Sequence, residues 1–151
     1  MKLIILALLL CFTISYKPER AIEYARKYCK NYNPAYINYN RLIGDSGNFV
    51  SQCLIAGGLS FEGCHGKDAR GSIPVIANLK NCLSKKGWKN SIGYTKHFKD
   101  GYPFFQDNDF AHFATAVIRK TVKACDHVMT VEGTSCDALY QVNDNFQYFY
   151  L

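Results

Sequence analysis

The stretch Gly44-Asp45-Ser46-Gly47-Asn48-Phe49-Val50-Ser51-Gln52-Cys53-Leu54-Ile55-Ala56-Gly57-Gly58 decides the fold. Phe49, Val50, Cys53, Leu54 and Ala56 make it apolar on most sides, the pattern of a helix that runs through a core. Paired glycines suit its C-terminal cap. Asp45 and Ser46 fall at or beside its N-terminus, where both are good capping residues. Free N–H groups and the positive dipole end gather there, and they lower a thiol's pKa and stabilise developing negative charge. Ser46 therefore occupies a place suited to a nucleophile.

Upstream, Ile22, Ala25 and Cys29 share one helical face and Glu19, Arg20, Glu23, Arg26 and Lys27 cover the other, so an amphipathic helix is expected over Pro18 to Asn31. The breaker cluster Asn31-Tyr32-Asn33-Pro34 ends it, and a loop carrying Tyr36, Tyr39 and Leu42 leads to Gly44. Downstream, residues 59–71 read as a loop with Cys64 and His65. Ser72 is placed to cap a third helix with Pro74 in its first turn; Ile76, Leu79 and Leu83 recur at helical spacing, and the helix ends near Lys86-Gly87 before Trp88.

The last third changes character. Phe110 to Ile118, His127 to Glu132 and Phe146 to Leu151 are short β-branched and aromatic runs, the first two read as an antiparallel pair. Helices first and strands later make an α+β domain, with N-terminal helices packed on a small antiparallel sheet.

Met1-Lys2 and the apolar run Leu3 to Ile14 read as a secretory signal peptide ending at Ser15, too short for a membrane span. Residues 1–15 are thus the leader and 16–151 one domain, expected to be a monomer. The leader removes Cys11 and Lys2, which leaves Cys29, Cys53, Cys64, Cys82, Cys125 and Cys136 and lowers the formal charge from +6 to +5. Six cysteines in an oxidising compartment are disulfide candidates, and none has the close spacing of a metal knuckle, so neither metal nor cofactor is expected. Positive charge suits an anionic bacterial surface, or serves solubility alone. Lys and Arg are scattered, with no nucleic-acid motif.

His112 lies in Asp109-Phe110-Ala111-His112-Phe113-Ala114-Thr115-Ala116-Val117-Ile118, where alternation sets it on one strand face with Ala114 and Ala116. It is either a satisfied core histidine or a base. His65, His97 and His127 fall in loops or at element ends.

Residues 44–58 resemble the nucleophile segment of a bacterial family of putative amidase domains with a papain-like fold, in which an Asp-Cys pair precedes Asn-Phe-Val-Ser-Gln-Cys and a helix. Ala21-Ile22-Glu23-Tyr24-Ala25 through Asn33-Pro34-Ala35-Tyr36, Lys86-Gly87-Trp88 and His112 before its strand are similar to further parts of that family. The resemblance implies amide hydrolysis: a thiolate attacks the carbonyl, a histidine acts as base and then acid, and a polar residue orients it. Related enzymes of that fold cut peptidoglycan peptides. Position by position, Ser46 takes the nucleophile place, His112 the base, and Glu132 the orienting place, with Asn143 or Asp109 as alternatives. Asp45 and Asn48 are the candidate binding residues beside them.

Ser46 departs from the family pattern. A hydroxyl stays protonated where a thiol ionises, so the same pocket becomes much less active. An engineered serine, a natural inactive relative that binds cell-wall peptides or glycans, and a natural serine amidase are the three accounts. Cysteine at 46 would add one free thiol to six pairable ones, which favours a substituted cysteine. Cys53, two turns into an apolar helix, reads as structural.

Overall fold

The computed structural model describes residues 15–28, 31–92, 101–106, 111–114 and 146–151. The leader read over residues 1–15 lies outside them except for Ser15. So do the run His127 to Glu132 and Cys29, Cys125 and Cys136.

Helix α1 spans Pro18–Tyr28, with Ala21 and Ala25 buried and Arg26 and Lys27 in its last turn, where cations favour the dipole. The expected helix ran to Asn31. Asn33 instead accepts the Ala35 N–H on its side-chain Oδ1 at 3.0 Å, a local turn that competes with helix. Helix α2, Ser46–Ala56, is buried at every residue from Ser46 to Leu54. At its end the Leu59 N–H returns to Leu54 O at 3.0 Å and the Gly58 N–H to Ile55 O at 2.9 Å, with Gly58 at φ +99°. This paired closure needs a left-handed residue, which only glycine adopts without strain.

Helix α3, Ile76–Lys85, ends with the same pair of bonds, from Trp88 to Leu83 and from Gly87 to Ser84, which turns Trp88 back into the core. Its N-cap is Val75, not the expected Ser72, and Pro74 precedes the helix. Ser72 fails to cap because its hydroxyl is drawn to α2 and to Asp68.

Four strands among the described residues, β1 (Lys89–Ile92), β2 (Tyr102–Gln106), β3 (Ala111–Ala114) and β4 (Phe146–Tyr150), form one sheet in the order β1-β4-β2-β3. All three pairings are antiparallel, with Phe104 opposite both Tyr148 and His112. The fold is thus α+β. Strands β1 and β2 were not expected from the pattern: β1 is mostly exposed and polar, and Pro103 removes a ladder donor inside β2.

Successive residues of β2 and β4 face opposite ways. Phe105 and Phe149 meet edge to face at 5.5 Å and join Phe49, Leu54, Leu79 and Leu83 in the main core, while Phe104 and Tyr148 form a second cluster. Each such side chain contributes about 1.5–3 kcal/mol by leaving water. The N-terminal end is anchored by Tyr16, which packs edge to face on Trp88 at 5.0 Å and donates its hydroxyl proton to Gly101 O at 2.6 Å.

A disulfide joins Cys64 to Cys82 over 18 residues and ties the 59–71 loop to α3, a closure worth about 3 kcal/mol in chain entropy. Cys53, a disulfide candidate by count, is instead a free, buried thiol. It sits inside the α2 core, where burial pushes its pKa well up and keeps it protonated. Among the described residues no helix is long and apolar enough to cross a membrane.

Candidate active site

Ser46 is the first residue of α2, and the helix enters the core at once, so its side chain is only 7% exposed. Asp45 stands at the N-cap but makes no side-chain cap hydrogen bond. Its Oδ1 accepts from the Tyr39 N–H at 3.0 Å and from Asn48 Nδ2 at 2.8 Å. The first intrahelical bond runs from the Phe49 N–H to Asp45 O at 2.8 Å. The amides of Ser46, Gly47 and Asn48 precede it, and the carboxylate that would ordinarily cap them is turned away.

What turns it away is a closed ring of polar contacts. Asn48 donates from Nδ2 to Asp45 Oδ1 and also to Ile37 O at 2.8 Å, so both its protons are used and its amide orientation is fixed. Its Oδ1 accepts from Ser72 Oγ at 2.5 Å. Ser72 Oγ also lies 2.9 Å from Asp68 Oδ2, and the Tyr39 hydroxyl donates to that same oxygen at 3.0 Å. Tyr39 thereby closes the ring, holding Asp45 through its backbone and Asp68 through its phenol. Burial and the bond to Asp68 raise the phenol's pKa, so it remains a donor. Ser51, one turn further on, receives the Ile73 N–H at 3.0 Å and donates to Asn48 O at 2.8 Å, fastening the segment after Ser72 to α2.

Asp45 and Asn48, the candidate binding residues, are 2% and 1% exposed. They spend these polar atoms on each other and on the Ile37 and Tyr39 backbone, and so shape the start of α2. Tyr39, Asp68 and Ser72 carried no such role in the sequence reading. The one available signal was Asp68-Ala69-Arg70-Gly71-Ser72, an Asx-turn composition in which Asp68 Oδ1 accepts from the Arg70 and Ser72 amides at 2.9 and 3.1 Å.

His112 occupies β3, opposite Phe104, and β3 packs against α2. Ser46 and His112 therefore sit on adjoining elements. Glu132, Asn143 and Asp109, the candidates for the orienting place, lie outside the described residues, as do His97 and His127. His65 is exposed on the 59–71 loop. Among the described residues no cluster of three or more His, Cys, Asp or Glu side chains is arranged to hold a metal ion.

Chemically, the start of α2 offers a buried hydroxyl and adjacent N–H donors beneath a positive dipole end, a combination suited to an acyl-transfer centre. No curated protein and no solved structure matches the chain. A family model described as "Putative amidase domain" matches residues 15–145, most of the sequence, and the chain belongs to that family.

Proposed function

We propose that the protein is an exported amide hydrolase or endopeptidase of papain-like type, acting on peptidoglycan peptides, with Ser46 at the nucleophile place and His112 as the base. The observation that carries this reading is Ser46 itself: a buried side chain at the first position of α2, beside amides whose natural cap faces elsewhere, in a chain of an amidase family.

In the reaction the atom at the nucleophile place bonds to the amide carbonyl carbon, and its proton passes to the imidazole. The C–N bond then breaks as the imidazolium returns that proton to the departing amine. Water repeats the sequence to release the acid. The first-turn amides stabilise the oxyanion in both halves, and Glu132 orients the imidazole. The apolar leader over residues 1–15 supports export, and the +5 charge left once the leader and its Lys2 are removed supports contact with an anionic envelope.

A hydroxyl at this place activates poorly, so Ser46→Cys is the direct test. New amines released from cell-wall peptides should rise by at least about 100-fold, and His112→Ala in that background should abolish the gain. Absence of turnover, together with an unreactive introduced thiol, rules the reading out. The serine also supports a second reading, in which this form binds cell-wall peptides or glycans without cutting them; retention on purified walls with no amine release is its signature.

A further inference from the structure

We propose that Asp68 is a positioning residue for Ser46, holding the Asp45–Ser46 turn through two separate arms; this rests on the amidase reading above. One arm runs from Asp68 Oδ2 to the Tyr39 hydroxyl, and Tyr39 grips Asp45 Oδ1 with its own N–H. The other runs from the same oxygen through Ser72 Oγ to Asn48 Oδ1, and Asn48 grips Asp45 Oδ1 with Nδ2. Both arms end on one carboxylate oxygen, in the residue immediately before Ser46. Asp68 is separated from Ser46 by 22 positions and acts only through these side chains.

The need for two arms follows from what Asp45 would otherwise do. An aspartate at an N-cap ordinarily bends over the first turn and satisfies the N2 or N3 amide. That would lay a negative carboxylate across the donors an oxyanion needs. Tyr39 and Asn48 supply Asp45 with two competing donors, and Asp68 fixes both of them. Asp68 thereby keeps the Asp45 carboxylate off the first turn of α2.

The ring specifies which substitution preserves the device. Ser72 Oγ has a single proton and faces two acceptors, Asn48 Oδ1 and Asp68 Oδ2. In Asp68→Asn an amide nitrogen in the place of Oδ2 donates to Ser72 Oγ and to the Tyr39 hydroxyl, leaving the serine proton to Asn48. The geometry survives without the charge. Asp68→Ala removes both arms.

The test uses full-length protein carrying Ser46→Cys and follows the rate of thiol alkylation by iodoacetamide against pH. A thiol held at a helix N-terminus that no carboxylate caps ionises below its usual value near 8.5. Asp68→Ala should raise its apparent pKa by about one unit, because the less firmly positioned Asp45 carboxylate shifts toward it, and slow alkylation at pH 7 by about tenfold. Asp68→Asn should restore the starting profile or move it lower. Tyr39→Phe and Ser72→Ala, each cutting one arm and keeping most packing, should give intermediate shifts, which keeps the test informative should Asp68→Ala not fold.

An unchanged alkylation profile in Asp68→Ala, or in Tyr39→Phe combined with Ser72→Ala, overturns the proposal. Equal shifts of the same sign in Asp68→Ala and Asp68→Asn also overturn it, since they assign the effect to charge. The expected shifts without turnover of any cell-wall peptide would uphold the positioning role and defeat the amidase reading alone.

Discussion

Asn48 Nδ2 donates to Asp45 Oδ1 at 2.8 Å, so the third residue of α2 binds the side chain of its own N-cap. In a capping box the N3 side chain reaches the backbone amide of the cap residue while the cap side chain reaches N3. Here the two side chains bind each other, and the first-turn amides are not covered by Asp45. The relation joins sequence to site: Asp45 and Asn48 flank Ser46, yet their work is to shape the turn it starts from.

Asn48→Ala tests the energetic side of this arrangement. It leaves Asp45 Oδ1 short of a donor and strips Ser72 of an acceptor in a buried setting, and it removes a half-buried donor from Ile37 O. Buried polar groups left unmade cost about 1–3 kcal/mol each, with partial relief from rearrangement. Urea denaturation should show a loss of about 3 kcal/mol, whereas Asn38→Ala, whose side chain accepts an exposed turn bond from the Asn40 amide, should lose under about 1 kcal/mol. Equal losses would show that the ring contributes no more than a surface turn.

Gly47→Ala tests how closely α2 is pressed by its neighbour. A Cβ there would lie 2.5 Å from Pro74 O and 3.1 Å from Ile76 Cγ1. Pro74 sits on a backbone fastened to α2 through Ile73 and Ser51, so it cannot withdraw cheaply. A destabilisation of about 2–3 kcal/mol is expected in thermal unfolding, against the gain that alanine ordinarily gives in a helix. A neutral or stabilising result would mean that the 72–76 segment moves freely.

Much of this was legible in the sequence. Apolar residues around the whole of α2 announced a buried helix, and Gly57-Gly58 announced its end. The place of Ser46 at the start of α2 was legible because a helix start is a local event. The ring was not, since Tyr39, Asp68 and Ser72 are brought to α2 only by tertiary packing, and Ser72 reads locally as a cap for the next helix. The sheet was half legible: β3 and β4 show aromatic strand patterns, but β4, last in the chain, lies between β1 and β2, an order no local signal encodes. Pro103 hid β2. The cysteine count misled in one respect: Cys53 is free, so with Cys64 paired to Cys82 the domain's cysteines no longer pair off evenly, and the parity argument about position 46 weakens accordingly.

Cys53 should behave as an inert core thiol. Burial raises its pKa and excludes reagents, so native protein should expose no thiol at this position to a maleimide at pH 7, and urea should release it. Cys53→Ala should cost about 1 kcal/mol through a small cavity, and Cys53→Ser more, because a hydroxyl is harder to bury than a thiol. Rapid labelling of Cys53 in the native state would contradict its place in the core.

High pH should unfold the protein through its buried phenols. Tyr16 has its pKa raised past the normal tyrosine range, first by burial and then by the charges that Cys53, Tyr102 and Glu19 carry when ionised. Tyr24 is raised too, again first by burial, with Asn33 partly opposing through a hydrogen bond to the phenol. A raised pKa means the folded state keeps a proton that the unfolded state releases above about pH 10. The stability these phenols contribute is therefore complete below pH 10 and is lost as pH climbs toward their folded values. For Tyr16 the loss approaches about 1.4 kcal/mol per pH unit once the unfolded chain is ionised. Urea midpoints measured from pH 8 to 11.5 should fall steeply above 10, and absorbance at 295 nm should show late-titrating tyrosines that ionise together with unfolding. Tyr16→Phe lowers stability at neutral pH by removing the bond to Gly101 O, yet it should flatten the alkaline slope. An unchanged slope in that variant would mean that the Tyr16 phenol ionises as freely in the folded protein as in the unfolded chain.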